Sequence, residues 1–204
     1  LYFIYSHSGF GAVTDSDMVQ IECSGAPKMS TGGGFGWPQK PVDTNATCFS
    51  ELELVDPGEP NSQQMNWITN YIMEFHNALH AKPTGDYQKY IQLSSFVNMH
   101  ILNEVSCDID AWIRSHYFYK ERNQPITAGP VWDYNFAFGN MQTDHGKWHC
   151  EQQRTGSSDW HVLMWKQPEF KAAFKTRYKE LRQNILTDAS MEKFIEDVRK
   201  PIKN

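Results

Sequence analysis

No stretch of this chain approaches the roughly 18 consecutive apolar residues that a membrane-spanning helix requires, so no span is expected. Runs of like charge are also missing. The 19 Lys and Arg and 24 Asp and Glu are interspersed and leave a formal net charge of -5. A nucleic-acid footprint and a polybasic membrane anchor are therefore both unexpected. Cysteine is scarce: Cys23, Cys48, Cys107 and Cys150 show no CxxC or Cys/His spacing, which argues against structural zinc. Their even number permits two disulfides whose pairing the sequence leaves open. No internal repeat is visible, and the chain opens at Leu1-Tyr2-Phe3-Ile4 with neither Met nor a signal peptide, as a processed or cut chain would. Thr31-Gly32-Gly33-Gly34-Phe35-Gly36 is not a phosphate loop, because Trp37-Pro38 follows where Gly-Lys-Ser/Thr would have to open a helix. It reads as a flexible turn. The scattered histidines accompany no Gly-x-Ser-x-Gly elbow, so a hydrolase triad has no support.

What is present suits one packed domain. Of 204 residues, 40% are hydrophobic and 14% aromatic, with seven Trp, which excludes disorder. The aromatic excess reads either as core packing or as a carbohydrate or peptide groove. Asn45-Ala46-Thr47 is a glycosylation sequon in a Pro/Gly-rich loop before Cys48, and it points to a secreted, extracellular or cell-surface glycoprotein with disulfides. Residues Asp17 to Cys23 alternate as a short strand, and a long loop covers 24–47. Glu51 to Val55 alternates again as a strand, stopped by Asp56-Pro57-Gly58. Met65, Ile68, Ile72, Phe75 and Leu79 predict a helix from Asn61 or Ser62 to Lys82. A second helix is expected from a Ser94 or Ser95 cap to Cys107, with Asn103 and Glu104 on its polar face, where they read equally as support for a site or as the solvent side of a surface helix. Tyr117 to Tyr119 and Ile126 to Val131 predict a hairpin. Three helical stretches follow Gly156.

A hairpin returns the chain to the sheet edge where it began, so Asp110 before it and Asp133 after it should converge, within about 10 Å. Protein kinases place a catalytic-loop Asp and a metal-binding Asp in this way. Each acid also has a plainer explanation. Asp110 can be a turn or N-cap residue, and Asp133 a buried acid paired to a backbone donor.

The residues Ser95-Phe96, Asn103-Glu104, Asp110, Ser115-His116-Tyr117-Phe118-Tyr119-Lys120 and Gly129-Pro130-Val131-Trp132-Asp133-Tyr134-Asn135-Phe136-Ala137-Phe138-Gly139-Asn140 together resemble the core signature of CotH (spore coat protein H) kinases. The resemblance covers most of the chain after residue 50. It implies an α+β, atypical protein-kinase-like fold with a mostly helical C-terminal lobe, spanning 1–204 as one domain. It further implies a secreted or spore-surface enzyme that uses ATP with Mg²⁺ or Mn²⁺ to phosphorylate an extracellular or coat protein. Matched position by position, Asp110 falls on the catalytic Asp, Asp133 on the metal-binding Asp and Trp132 on the nucleotide-side Trp next to it. Asn135 stands where many members carry a second acid, and can coordinate through its amide oxygen without adding charge. No equivalent of the nucleotide-covering N-terminal lobe is recognisable, nor a lysine for the phosphates, so that lobe is expected to be incomplete.

The competing reading is a catalytically inactive kinase-like surface, adhesion or structural protein. Asn140 either binds metal or closes a turn after Gly139. Asp144, His145, His149 and Cys150 resemble a metal cluster but fit no standard spacing. Cys150 is instead expected to pair with Cys107, with Cα atoms within about 7 Å.

Overall fold

The computed structural model describes residues 2–7, 28–30, 51–57, 59–81, 84–108, 116–140 and 159–202. The Asp17–Cys23 strand of the sequence reading lies outside them. Five strands, β1 (Tyr2–His7), β2 (Lys28–Ser30), β3 (Glu51–Asp56), β4 (His116–Lys120) and β5 (Thr127–Ala128), form one sheet in the order β2-β3-β1-β4-β5. β1 pairs antiparallel with both β3 and β4, setting Ile4 opposite Leu54 on one side and Phe118 on the other, while β2 adds in parallel to β3. Two features correct the sequence reading. β1 is a central strand where only a chain end was considered, and β2 falls inside the stretch read as loop 24–47.

The helices are α1 (Ser62–His80), α2 (Leu93–Ser106), α3 (Asp159–Lys166), α4 (Pro168–Arg182) and α5 (Asp188–Arg199). α1 starts at a capping box: the Asn61 side chain accepts from the Gln64 N–H, and the Gln64 side chain accepts from the Asn61 N–H, both at 2.9 Å. Asn61→Ala is therefore expected to cost about 1 kcal/mol, read as a lower urea midpoint at unchanged slope. Three- and four-residue spacing carries Ile68, Ile72, Phe75, His76 and Leu79 into the core. There, Phe75 meets Trp160 of α3 edge-on at 4.8 Å, and Phe96 of α2 stacks on Phe118 of β4 at 5.7 Å. α1, α2, α3 and the sheet thus share one cluster.

α2 differs from its expected form at its start. Its N-cap is Gln92, with no side-chain cap. The Ser95 hydroxyl donates to the Gln92 carbonyl at 2.8 Å and accepts from the Ala128 N–H at 3.0 Å. Ser95 therefore ties the helix to β5 rather than capping it. The return strand is also shorter than Ile126–Val131. Ile126 instead bridges in parallel to Ile91, and after Ala128 the chain turns at Gly129, whose φ of +129 suits glycine alone. Burial surrounds α2 on nearly all sides, reaching Phe96, Val97, His100, Ile101, Asn103, Glu104 and Ser106. Asn103 and Glu104 are consequently buried, not the polar face of a surface helix.

Candidate functional site

Beyond Gly129-Pro130 the chain runs along the C-terminal end of α2. Asp133 adopts left-handed backbone (φ 60, ψ 49) and occupies the N-cap position of the short 3-10 helix Tyr134–Phe136. An Asp at that position ordinarily accepts from the turn's N–H groups. Here it makes no such bond. Its side chain is exposed, so the buried, backbone-paired Asp considered from sequence is not what the fold contains. Asn135, two residues on, is exposed as well.

The surroundings of Asp133 are apolar and accessible. Trp132 is 44% exposed and meets the Tyr117 ring edge-on at 5.8 Å, while Phe138 is 70% exposed. Phe138 also has left-handed backbone, at φ 54, and Gly139 follows at φ 83. Positive φ at a bulky aromatic residue is costly and tends to persist at functional segments. Asn140 closes the turn: its N–H donates to the Ala137 carbonyl at 3.2 Å and its side-chain amide to the Asn135 carbonyl at 2.7 Å. That engagement favours the turn over the metal reading for Asn140.

Beneath the exposed acid lies a buried polar layer, of which the sequence offered Asn103 as one of two readings, a support for the site, but neither Asp108 nor the Tyr134 contact. Asn103 (1% exposed) and Asp108 (2%) sit at the end of α2. The Tyr134 hydroxyl donates to the Asn103 side-chain carbonyl, with the Met99 sulfur at 3.5 Å. Burial first, and the Asp108 charge second, push the Tyr134 phenol above its usual range, so it remains a neutral donor. The available signal was the position of Tyr134 between Asp133 and Asn135. Only the fold shows what it reaches.

Lys120, part of the signature hairpin, is not available to phosphates. Its ammonium lies 4.8 Å from the Tyr71 ring centre and 5.1 Å from that of Trp67, and donates to the Glu121 carbonyl at 2.8 Å. It closes the strand against α1. Asp110, the His145 and His149 cluster and Cys150 lie outside the described residues, so neither the Asp110–Asp133 separation nor a Cys107–Cys150 pairing is defined.

The donor set near Asp133 is nonetheless of a definite kind. Among the described residues no three His, Cys, Asp or Glu side chains come together as a metal cage. Asp133 and Asn135 offer two oxygen donors in the open. Mg²⁺ and its relatives bind in that manner, through one or two carboxylates while keeping water and phosphate oxygens. One carboxylate and one amide oxygen are donors of the type such a cation takes.

A mostly helical domain with an antiparallel hairpin leading to an exposed acid is, at the level of class, an α+β protein. Residues 42–204 match the family model described as CotH kinase protein, and the chain belongs to that family. No curated protein and no solved structure matches the chain. Among the described residues no helix is long and apolar enough to cross a membrane.

Proposed function

We propose that this chain transfers the γ-phosphoryl group of ATP to a Ser or Thr hydroxyl of a secreted or coat protein, with Asp133 and Asn135 holding Mg²⁺ or Mn²⁺. The observation that carries the reading is an Asp at an N-cap position whose carboxylate makes no cap bond and faces solvent, within the family's matched span. A fold that needed this acid for stability would have used it. A divalent cation bridging the phosphates would neutralise charge on the transferring group.

Each other part falls to a residue of this chain. Asp133 supplies the anionic ligand and Asn135 a neutral one, a set weaker than paired acids by one charge. Trp132, exposed next to the acid, presents a ring face of the size needed to cover a nucleobase. Asp110 aligns the acceptor hydroxyl and takes its proton, the part that geometry and pKa ask of a general base. Secretion, which the sequon suggests, would place the substrate among extracellular or coat proteins.

Calorimetric titration with ATP, with and without Mn²⁺, tests the reading, run beside transfer of radiolabel to a generic Ser/Thr protein substrate. Metal-dependent binding with label transfer is expected. An absence of both favours the catalytically inactive surface protein.

A further inference from the structure

Asp133 contributes no bond of its own to hold its left-handed backbone, so something else must keep the carboxylate in place. Three contacts fasten the segment that follows. The Phe138 N–H donates to the Ser106 carbonyl at 2.6 Å, the Asn140 amide closes on Asn135, and the Tyr134 hydroxyl reaches the buried Asn103. The first lies five residues beyond the acid, and the second is internal to the turn. Only the third joins the residue adjoining Asp133 to the rigid core helix α2.

We propose that Tyr134, anchored on Asn103, is a positioning residue that fixes the Asp133 carboxylate for the cation. This rests on Asp133 being the ligand named above. Asn103 is one of the least exposed polar residues of the molecule, and a buried amide is locked by its packing in a way that no surface group is. A hydroxyl donor held on a buried acceptor is the device by which outer-layer partners orient a metal ligand they never touch, and losing such a partner typically costs 10- to 100-fold in metal affinity.

Tyr134→Phe removes only the hydroxyl, and Asn103→Leu replaces the amide that accepts from it with an apolar group of the same branching. Each is expected to raise the Mn²⁺–ATP dissociation constant about 10-fold, and the double variant by about the same factor rather than the product, since both break one contact. Amide hydrogen exchange at Ala137 and Phe138 should speed up in Tyr134→Phe while exchange within α1 is unchanged. A merely stabilising contact would lower the melting temperature without this coupling in metal affinity. If the wild type binds Mn²⁺–ATP and Tyr134→Phe binds it equally well, the positioning role is overturned and the function stands. If the wild type does not bind, the function falls and this inference with it. Should Asn103→Leu fail to fold, Tyr134→Phe decides alone by affinity and exchange.

Discussion

Replacing Asp133 by Asn is expected to abolish metal-dependent nucleotide binding while leaving the fold intact. The carboxylate is exposed and caps nothing, so its loss should change stability by less than about 0.5 kcal/mol. Asn tolerates left-handed backbone as readily as Asp, and the chain should keep its path. What disappears is the anionic ligand, and an amide oxygen cannot hold a hard divalent cation against phosphates with neutral Asn135 as its neighbour. Asp110→Asn should behave differently. Nucleotide and Mn²⁺ still bind, but turnover falls by roughly 10²-fold or more, as for loss of a general base. Calorimetry and radiolabel transfer on the wild type and both variants separate the two roles. Equal, metal-independent behaviour of all three proteins would sink the enzyme reading.

The second large effect concerns acid. Rings of His100 (α2), His116 (β4) and His161 (α3) cluster in the interior, with centroids 6.2 Å apart for His100 and His161 and 5.2 Å for His116 and His161. Trp165, Phe170 and Phe174 close over His100. Burial drives His100 down to about 3, with His116 nearby as a second cause, drives His116 to about 4, and holds His161 well below its ordinary 6.5. The folded protein therefore keeps these rings neutral. The unfolded chain protonates them below 6.5, so it binds more protons there, and stability is complete above that pH and lost as pH falls toward 4. Each ring costs about 1.4 kcal/mol per pH unit, and with His76 of α1, which burial and then His80 lower to about 4, the four together cost roughly 5.5 kcal/mol per unit. Against a typical domain stability of about 5 to 15 kcal/mol, unfolding is expected one to three units below 6.5. Circular dichroism against pH should show a cooperative transition taking up about four protons. In His161→Phe the proton count should drop by about one and the midpoint move to lower pH. A protein still folded at pH 3 would contradict the burial of these rings.

Much of this architecture was legible in the order of residues. The α1 boundaries follow from its capping box and its 3.6-residue apolar period, both local properties of a helix. The hairpin, and the acid beyond it, followed from strand-forming aromatics around a turn. Family membership was legible as well, because the signature between Ser95 and Asn140 is a contiguous pattern of residue types. Asp133 and Trp132 were named as candidates by the same route, and Asn135 as the departure from it.

Other features needed the third dimension. β1 carries Tyr2, Phe3, Ile4 and Tyr5, good strand formers, yet its place at the centre of the sheet depends on pairing with residues some fifty and over a hundred positions away. No local pattern announces that. Asn103 and Glu104 read equally well as the solvent face of a helix or as support for a site, and they are interior only because other elements pack around α2 on nearly every side. The same enclosure turned scattered histidines into a neutral cluster, since burial is a property of neighbours and not of the ring itself. For Asp133, the residue types named a candidate, but its free carboxylate and its Tyr134 anchor depend on one backbone conformation and one tertiary contact. Residue chemistry along the chain determined which groups could act. The packing of α2 against the segment that follows the hairpin decided which of them is exposed and which is buried.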